Sequence, residues 1–348
     1  MSQPQPLSPS PAPTPLLEPL LPRSPATRVL WGQLYGASLA LVLAEAARRH
    51  AGPVLVLAAS TREAERLAGE LAFFTAGELP VAVLPDYETL PYDVFSPHPD
   101  ITSQRLATLA GLPAFRRGLL VASLDAVLQR LPPRSYVEAY TLLLATGAAL
   151  DLEAFRARLA AAGYASVTQV VAPGEFAVRG GLLDVYPMGA AQPYRIDLFD
   201  DEVESIRVFD PETQRSGEKL AEIRLLPTRE FALTPESIKD FRRRYRQRFE
   251  GDVTRSLVYK GVSEGFPTGG IEYYLPLFHE SVATLFDYLP DDLLVVDTAG
   301  LQEAAARAWS DVLDRHEQRR HDIERPLLDP AEVFLPPDEL AALVARAP

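Results

Sequence analysis

Three short runs of consecutive apolar residues mark the first part of the chain. They are residues 54–57 (VLVL), 81–84 (VAVL) and 119–122 (LLVA), and stretches with helical spacing of apolar residues cover 37–50, 61–75 and 103–116. Continuous apolar runs of this length are typical of strands buried on both faces, as in a parallel sheet. Their alternation with helices predicts an α/β layer fold. Ser60 and Glu63 predict a capping box at the start of the second helix.

The pattern changes near residue 136. A helical stretch at 151–162 precedes five predicted strands in close succession, at 164–171, 175–179, 182–186, 194–199 and 202–209. Turn-forming dipeptides separate several of these strands, namely Pro173-Gly174, Gly180-Gly181 and Asp200-Asp201. Closely spaced strands joined by tight turns predict a small α+β domain with a mostly antiparallel sheet over residues 136–226.

Helical spacing returns from about residue 227, and a last apolar run lies at 293–296 (LLVV), before a charged helix at 301–321. This run is placed to rejoin the first sheet, which would make the middle domain an insertion. The predicted α/β domain therefore consists of two parts, 26–135 and 227–348, with the α+β domain between them.

Residues 1–25 contain nine of the 32 prolines. A segment of this composition predicts a disordered, Pro-rich tail that contributes nothing to the core. The alternative interpretation is a docking peptide built around the leucines at positions 16, 17, 20 and 21.

Composition narrows the class of protein. The 348 residues include 34 Lys and Arg against 47 Asp and Glu, a net charge of −13, and an acidic chain is not typical of a general nucleic-acid binder. Cysteine is absent, which excludes disulfides, thiolate metal clusters and cysteine nucleophiles. No apolar run approaches the length of a membrane span, so we expect a cytoplasmic protein without membrane contact.

A segment before the first predicted helix resembles a phosphate-binding loop. A working loop has the pattern G-x-x-x-x-G-K-[ST], because its glycines let backbone amides surround the phosphates and its lysine neutralises their oxygens. Residues 32–38 (GQLYGAS), taken as the first strand–helix turn, are one residue short, and Ala37 occupies the lysine position. We therefore predict that Gly32, Gly36, Ala37 and Ser38 form a vestigial nucleotide site.

The partner motif of such ATPases is also incomplete. In helicase-like ATPases a strand ends in Asp-Glu, where the aspartate holds Mg²⁺ and the second acid orients the attacking water. Here the apolar run 293–296 is followed by Asp297 and Thr298, and a threonine cannot act as the base. Asp297 is assigned to the same vestigial site, and no catalytic residue is predicted. The five histidines are scattered, so no metal site is predicted either.

Two further motifs have more ordinary interpretations. Residues 241–248 contain five arginines, which would suit a helix that contacts phosphates. Because the surrounding chain is acidic, we favour a solvated helix face that compensates nearby acids. Residues 261–265 (GVSEG) match a G-x-S-x-G nucleophile motif, but a loop follows them where that motif requires a helix, which indicates a chance match.

The strand at 194–199 is the most informative for function. Alternation along a strand directs Tyr194, Ile196 and Leu198 to one face, the core, and Arg195, Asp197 and Phe199 to the other. In the strand at 175–179 the same alternation directs Phe176 and Val178 inward and Arg179 outward. A phenylalanine beside an arginine on an outward face has the composition of a protein-binding hot spot. The alternative is that Phe199 packs under a helix while the arginines pair with Asp200, Asp201 or Glu202.

Several strings resemble a known family, the bacterial transcription-repair coupling factors, whose N-terminal region is itself similar to the excinuclease component UvrB. The strings are residues 88–93 (ETLPYD), 95–98 (FSPH), 176–187 (FAVRGGLLDVYP), 199–202 (FDDE), 270–274 (GIEYY) and 285–292 (LFDYLPDD). The resemblance runs from about residue 28 to residue 345.

The resemblance implies a fold and a role. The fold class would be α/β, a degenerate P-loop or helicase-like parallel-sheet domain interrupted by a small inserted α+β domain. The inserted domain would recruit the excinuclease component UvrA, with Phe199 as apolar anchor and Arg179 and Arg195 as charged or bidentate contacts. UvrB has an additional arginine where this chain has Ala177. UvrB also clamps DNA with a long hairpin, whereas the stretch from Tyr87 to Arg105 is compact here.

The family protein is far longer than 348 residues, so the resemblance implies one piece of a larger protein. The other domains would contact RNA polymerase and DNA, use ATP and Mg²⁺ for translocation on DNA, and include a C-terminal domain that masks the UvrA-binding surface. This piece would itself be a non-catalytic adaptor without a cofactor. The alternative is an ATP-dependent helicase-like or UvrB-like DNA-binding enzyme, which would need a lysine near Gly36 and an acid after Asp297.

Overall fold

The computed structural model describes residues 18–22, 27–298 and 300–346. The strands are β1 (Pro53–Ala58), β2 (Val81–Leu84), β3 (Gly118–Ser123), β4 (Leu142–Ala145), β5 (Ala165–Ser166), β6 (Glu175–Arg179), β7 (Leu182–Tyr186), β8 (Tyr194–Phe199), β9 (Glu202–Phe209), β10 (Ser216–Leu220), β11 (Glu222–Leu225) and β12 (Leu294–Asp297).

The α-helices are α1 (Ser38–Arg49), α2 (Thr61–Thr75), α3 (Pro99–Gly111), α4 (Leu124–Leu128), α5 (Arg134–Tyr140), α6 (Leu152–Ala161), α7 (Pro235–Arg248), α8 (Leu257–Ser263), α9 (Leu275–Phe278), α10 (Leu301–Arg319), α11 (Pro330–Val333) and α12 (Pro337–Arg346). Short 3₁₀ turns cover Leu112–Ala114, Val253–Arg255, Ile271–Tyr274 and Leu285–Tyr288. None of the helices in the described part of the chain is long and apolar enough to cross a membrane.

The first sheet is parallel and has the strand order β12-β1-β3-β2. Both of its faces are buried, because Val54 and Val56 pack in the cluster with α1 and α2 while Leu55 and Leu57 pack in the cluster on the other side. The predicted strands are therefore confirmed, with β1 and β3 fully buried and β2 and β12 mostly half-buried at the edges of the sheet. The last strand, β12, pairs with β1, so the sheet is completed only after the chain has passed through the middle segment.

Helix boundaries follow local hydrogen bonds. Ser60 accepts a hydrogen bond from the Glu63 amide (3.3 Å), but the Glu63 carboxylate accepts from the Ala59 amide (3.0 Å), so the predicted capping box is only half formed. Helix α3 begins four residues before its predicted start, at Pro99, where proline suits the first helical turn.

The second sheet has the order β10-β9-β8-β7-β6-β5 and is antiparallel except between β5 and β6. Four of the five strands predicted here are confirmed. The prediction of a strand over 164–171 is wrong beyond Ser166, because Val170 is instead buried against Ala177 and Phe209 on one face of the sheet. Strand β10 and the antiparallel pair of β4 and β11 were not predicted.

One core joins the elements of the middle segment. Ile196, Leu183 and Val203 of the second sheet pack against Phe155 and Leu159 of α6. Side chains of β4 and β11 enter the same cluster, so this two-stranded sheet closes the segment at the points where the chain enters and leaves it. The fold is thus α/β with a parallel sheet and a separate, mostly antiparallel sheet.

An aromatic core fills the region around α7 and α8. The ring of Phe241 lies 4.7 Å from that of Phe278, and the ring of Tyr92 lies 5.6 Å from that of Phe334. Tyr92 belongs to the stretch from Tyr87 to Arg105, which is compact as expected: no strand forms within these residues, and Arg315 and Arg319 of α10 donate to the carbonyls at 91 and 92.

The N-terminal part departs from two predictions. Among the described residues directly ahead of Gly32, 27–31, the expected strand is not formed, and Leu30 is 94% exposed there. Residues 18–22 belong to the predicted disordered tail, yet Leu21 packs on the α1–α2 side of the parallel sheet and the Trp31 indole donates to the Leu20 carbonyl (3.0 Å). The rest of the predicted tail, 1–17 and 23–25, lies outside the described residues.

A buried ion pair ties the middle segment to the parallel-sheet region. Arg105 of α3 donates through Nε to Glu230 Oε1 (2.8 Å), and the Tyr87 hydroxyl donates to Glu230 Oε2 (2.6 Å). The Arg105 side chain is fully buried and that of Glu230 nearly so. Glu230 follows β11, so the pair fixes the chain where it returns from the middle segment.

We expect Glu230→Gln to lower the free energy of unfolding by about 3–5 kcal/mol, because the buried Arg105 charge loses its partner. The control is Glu138→Gln, since Glu138 pairs with Arg134 while 56% exposed, and loss of such a surface pair costs about 1 kcal/mol or less. Urea unfolding followed by circular dichroism measures both. Equal, small losses in the two variants would show that the buried pair does not stabilise the junction.

A cleft of about 320 Å³ lies beside this junction, lined by Ser96 and Glu272 on one side and by Gly163 and Met188 on the other. The Ser96 hydroxyl donates to Glu272 Oε2 (2.8 Å). Burial nevertheless dominates and raises the pKa of Glu272 from 4.5 to about 7.

Stability should therefore fall as pH rises from about 4.5 to about 7, because in this window the folded state retains a proton that the unfolded chain has lost. Glu272→Gln removes this titration, so its unfolding free energy should decline less than that of the wild type between about pH 5 and about pH 8. The exposed Glu264→Gln is the control and should keep the wild-type decline. A decline in Glu272→Gln equal to that of the wild type would contradict the assignment.

Candidate functional site

The outer face of the second sheet is the face turned away from α6. Ile196 is fully buried on the inner face, and Tyr194 and Leu198 pack partly against the same core. Phe176 and Val178 of β6 pack there as well. The predicted inward set is therefore confirmed, and Arg195, Asp197 and Phe199 alternate onto the outer face.

Phe199 lies at the tip of the β8–β9 hairpin. It pairs with Glu202 across a two-residue turn in which Asp200 has a φ of 60°, a left-handed conformation that aspartate tolerates better than most residues. The Phe199 side chain is 74% exposed. The alternative interpretation, in which Phe199 packs under a helix, is wrong.

Asp184 joins the two predicted arginines. Its carboxylate accepts hydrogen bonds from Arg195 Nε (2.7 Å) and Arg195 Nη2 (2.9 Å), and from Arg179 Nη2 (2.8 Å). The register explains the contact, because Asp184 stands directly opposite Arg195 on the neighbouring strand. The interpretation that pairs these arginines with acids at 200–202 is wrong, since their partner is the buried Asp184.

Asp184 is absent from the predicted site residues, although the sequence contains a signal for it. It is the single charged residue of β7 (LLDVY) and stands between Leu183 and Val185, both fully buried in the core. Alternation therefore places Asp184 on the outer face with Arg195. An acid at such a position, close to two outward arginines, indicates an ion pair on the sheet.

The two arginines are held differently. Arg195 also donates through Nη1 to the Gln214 carbonyl (3.0 Å) and the Ser216 hydroxyl (3.3 Å), and its guanidinium lies 4.7 Å from the ring centre of Phe209. Its hydrogen bonds with Asp184 raise the pKa of Arg195 above the ordinary value. Four of its five N–H groups are thus occupied.

Arg179, by contrast, uses one N–H group toward Asp184 and has a side chain that is 50% exposed, compared with 15% for Arg195. Most of the Arg179 guanidinium therefore faces solvent. On the outer face Phe199 and Arg179 are therefore open to solvent, whereas Arg195 is held as a largely buried charge.

The predicted vestigial nucleotide residues lie on two separate elements, ahead of α1 and at the end of β12. Gly32, Gly36 and Ala37 are exposed ahead of α1, and the Ser38 hydroxyl donates to the Tyr35 carbonyl (2.8 Å). Asp297 ends β12. Within the described ranges, no hydrogen bond or ion pair joins residues 32–38 to Asp297.

Acidic side chains gather where the parallel strands end. Glu63 accepts from the Thr298 hydroxyl (3.2 Å) and the Ala59 amide, and Asp86 accepts from the Thr61 hydroxyl (3.3 Å). Burial, followed by the charges of Asp86 and Asp311, raises the pKa of Asp125. In the part of the chain that the structure describes, no group of three or more acidic or histidine side chains is arranged to hold a metal ion.

The arginines of α7 have partners within the protein. Arg243 pairs with Asp240 (2.9 Å), and Arg248 pairs with Glu332 (2.6 Å) and Asp329. The other three contact Tyr259 or the Leu277 carbonyl, namely Arg242, Arg244 and Arg246. Compensation of nearby acids thus accounts for two of the five arginines, Arg243 and Arg248. The G-x-S-x-G string begins inside α8 and not between a strand and a helix, as expected of a chance match.

A family model described as the UvrB interaction domain matches residues 142–231. The match begins at the first residue of β4 and ends just beyond β11, so it covers the second sheet, its core and the outer face that carries Asp184. The segment that matches this family model thus lies between the first three strands of the parallel sheet and its last strand, β12.

Three individual proteins are similar to this chain over most of its length. The chain is 44% identical over 321 residues to the transcription-repair-coupling factor of Escherichia coli strain K12, across 92% of this chain and 28% of that protein. It is 40% identical over 329 residues to that of Haemophilus influenzae (94% and 28%), and 28% identical over 258 residues to that of Bacillus subtilis (70% and 22%). The chain therefore resembles the N-terminal part of transcription-repair-coupling factors and spans 22–28% of their length in these three alignments.

We expect Asp184→Ala to lower the free energy of unfolding by about 1–3 kcal/mol, because Arg195 keeps a largely buried charge without its acceptor. Urea unfolding measures the loss. The matched control is Asp197→Ala, at a residue of the same face that accepts from the Ser205 hydroxyl alone (2.8 Å); it should cost about 1 kcal/mol or less. A larger loss in the Asp197 variant would refute the central place of Asp184.

Proposed function

We propose that this chain is a non-catalytic adaptor module that recruits the excinuclease component UvrA during transcription-coupled nucleotide excision repair. The observation that carries the proposal is the outer face of the UvrB interaction domain, where Phe199 at the end of β8 is 74% exposed and Arg179 at the end of β6 is half-exposed. Aromatic residues and arginine are enriched at protein–protein interfaces.

In this proposal the three contact residues have different roles. Phe199 enters an apolar pocket of the partner, and Arg179 forms charge-assisted hydrogen bonds with it through its open guanidinium. Arg195 contributes one free N–H group and a fixed positive charge, and it orients Arg179 through their shared acceptor, Asp184. The proposal does not include a bidentate contact of Arg195 with a partner carboxylate, because the Arg195 guanidinium already binds the Asp184 carboxylate in that way.

The proposal that this piece is non-catalytic rests on the residues in the region of the parallel sheet. We propose that residues 26–135 and 227–348 form a degenerate P-loop, helicase-like domain interrupted by the domain at 136–226. Ala37 lacks the charge that a phosphate loop needs, and Thr298 donates to Glu63 where an ATPase has its second acid. Carboxylates at the strand ends, among them Asp86 and Asp125, also repel a triphosphate.

The rest of the proposed activity belongs to the larger part of the relatives that this chain does not span. There we place the contacts with RNA polymerase and DNA, the ATP- and Mg²⁺-dependent translocation on DNA, and a C-terminal domain that covers the outer face until the protein engages DNA. The name of the relatives, transcription-repair-coupling factor, fits such a division between a motor and a recruiting module.

Binding of the purified chain to purified UvrA, measured by calorimetry, tests the recruiting role. We expect Phe199→Ala to weaken binding about 30-fold or more, as for an interface hot spot, and the combined Arg179→Ala, Arg195→Ala, Phe199→Ala variant to abolish it. The matched control is Phe266→Ala, since Phe266 is 75% exposed but lies outside the UvrB interaction domain. Full binding by a triple variant with a wild-type circular dichroism spectrum would sink the proposal.

A further inference from the structure

A row of cations crosses the outer face of the second sheet. In the register of β8, β9 and β10, Arg195 stands opposite Arg207, and Arg207 stands opposite Lys219. Side chains at directly opposed positions lie about 4.5–5.5 Å apart at Cβ, where like charges destabilise a sheet. Three neighbouring strands therefore place cations side by side where an alternation of charge would be more stable.

The row is only partly neutralised within the protein. Asp184 accepts from Arg195, but among the described residues no acidic group forms an ion pair with Arg207 or Lys219. Lys219 is exposed and Arg207 is half-buried. In a chain of net charge −13, a positive row that is only partly compensated favours a negative partner.

We propose that Arg207 and Lys219 extend the Phe199–Arg179 surface across β9 and β10, and that this extension binds an acidic segment of UvrA. The inference rests on the proposed function and adds the chemistry of the partner surface. Phe199 fixes the position of the partner at the hairpin tip, and the row then aligns the acidic segment across the strands.

The charge pattern favours a protein segment over a nucleic acid. Exposed acids adjoin Phe199 at the hairpin tip, at Asp200, Asp201 and Glu202. A nucleic-acid strand carries a negative charge on every phosphate, so it meets these acids wherever it also reaches Phe199. A protein segment can place its acids opposite the row alone and contact the tip with apolar side chains.

Association and dissociation of the chain on immobilised UvrA, followed by bio-layer interferometry at low and high salt, tests the extension. We expect Arg207→Glu and Lys219→Glu each to lower the association rate constant about fivefold at low salt, with little change in dissociation and a smaller effect at high salt. The control is Arg224→Glu, an exposed strand cation of β11 in the same matched domain, which should stay within about twofold of wild type.

The outcomes separate the two proposals. If Phe199→Ala weakens binding while both charge reversals leave the association rate unchanged, the extension is wrong and the proposed function stands. If the wild-type chain does not bind UvrA, the proposed function fails and the extension fails with it. If the wild-type chain instead binds duplex DNA and either reversal abolishes that binding, the row belongs to a nucleic-acid site and the extension is overturned.

Discussion

The buried pair of Arg105 and Glu230 is the interaction on which the arrangement of the two sheets depends. Arg105 belongs to α3, which packs beside the parallel sheet, whereas Glu230 lies just beyond β11, where the chain leaves the middle segment. An arginine without solvent contact requires its partner at a fixed place, because an unpaired charge in the interior is costly. The pair therefore fixes the returning chain, and the pairing of β4 with β11 brings the two ends of the middle segment together. The second sheet can then turn its outer face to solvent.

A second carboxylate, that of Asp184, holds the arginines on the outer face of the second sheet. Asp184 is at least as buried as Glu230, but its two arginines differ in exposure, so the same buried acid holds Arg195 in place and leaves Arg179 accessible. The contacts of Arg195 with Gln214, Ser216 and Phe209 leave it little freedom. A side chain ordered before binding loses little entropy when a partner arrives, which favours association. Arg179 retains more conformational freedom, so its guanidinium group can adjust its orientation to the partner.

Sequence reasoning succeeds where a single element decides the outcome. The apolar runs at 54–57 and 119–122 require burial on both faces, and alternation alone separates Ile196 from Phe199. It fails where the outcome depends on a distant partner. Asp184 meets Arg195 only through cross-strand register, and β4 pairs with a strand almost 80 residues later. The stretch beyond Ser166 has the apolar content of a strand, but Val170 is buried by covering the sheet instead of pairing in it.

The carboxyl ends of the parallel strands and the cation row on the outer face of the second sheet carry opposite charges, and this asymmetry bears on how a partner approaches. Ligands of parallel α/β sheets ordinarily bind beyond the carboxyl ends of the strands. Here Glu63, Asp86 and Asp125 lie near those ends, so that edge repels an acidic partner. The chain as a whole repels such a partner as well, with a net charge of −13. Under the proposed function, the cations of the outer face are then the place where attraction prevails, and long-range repulsion elsewhere orients the encounter toward this row of cations.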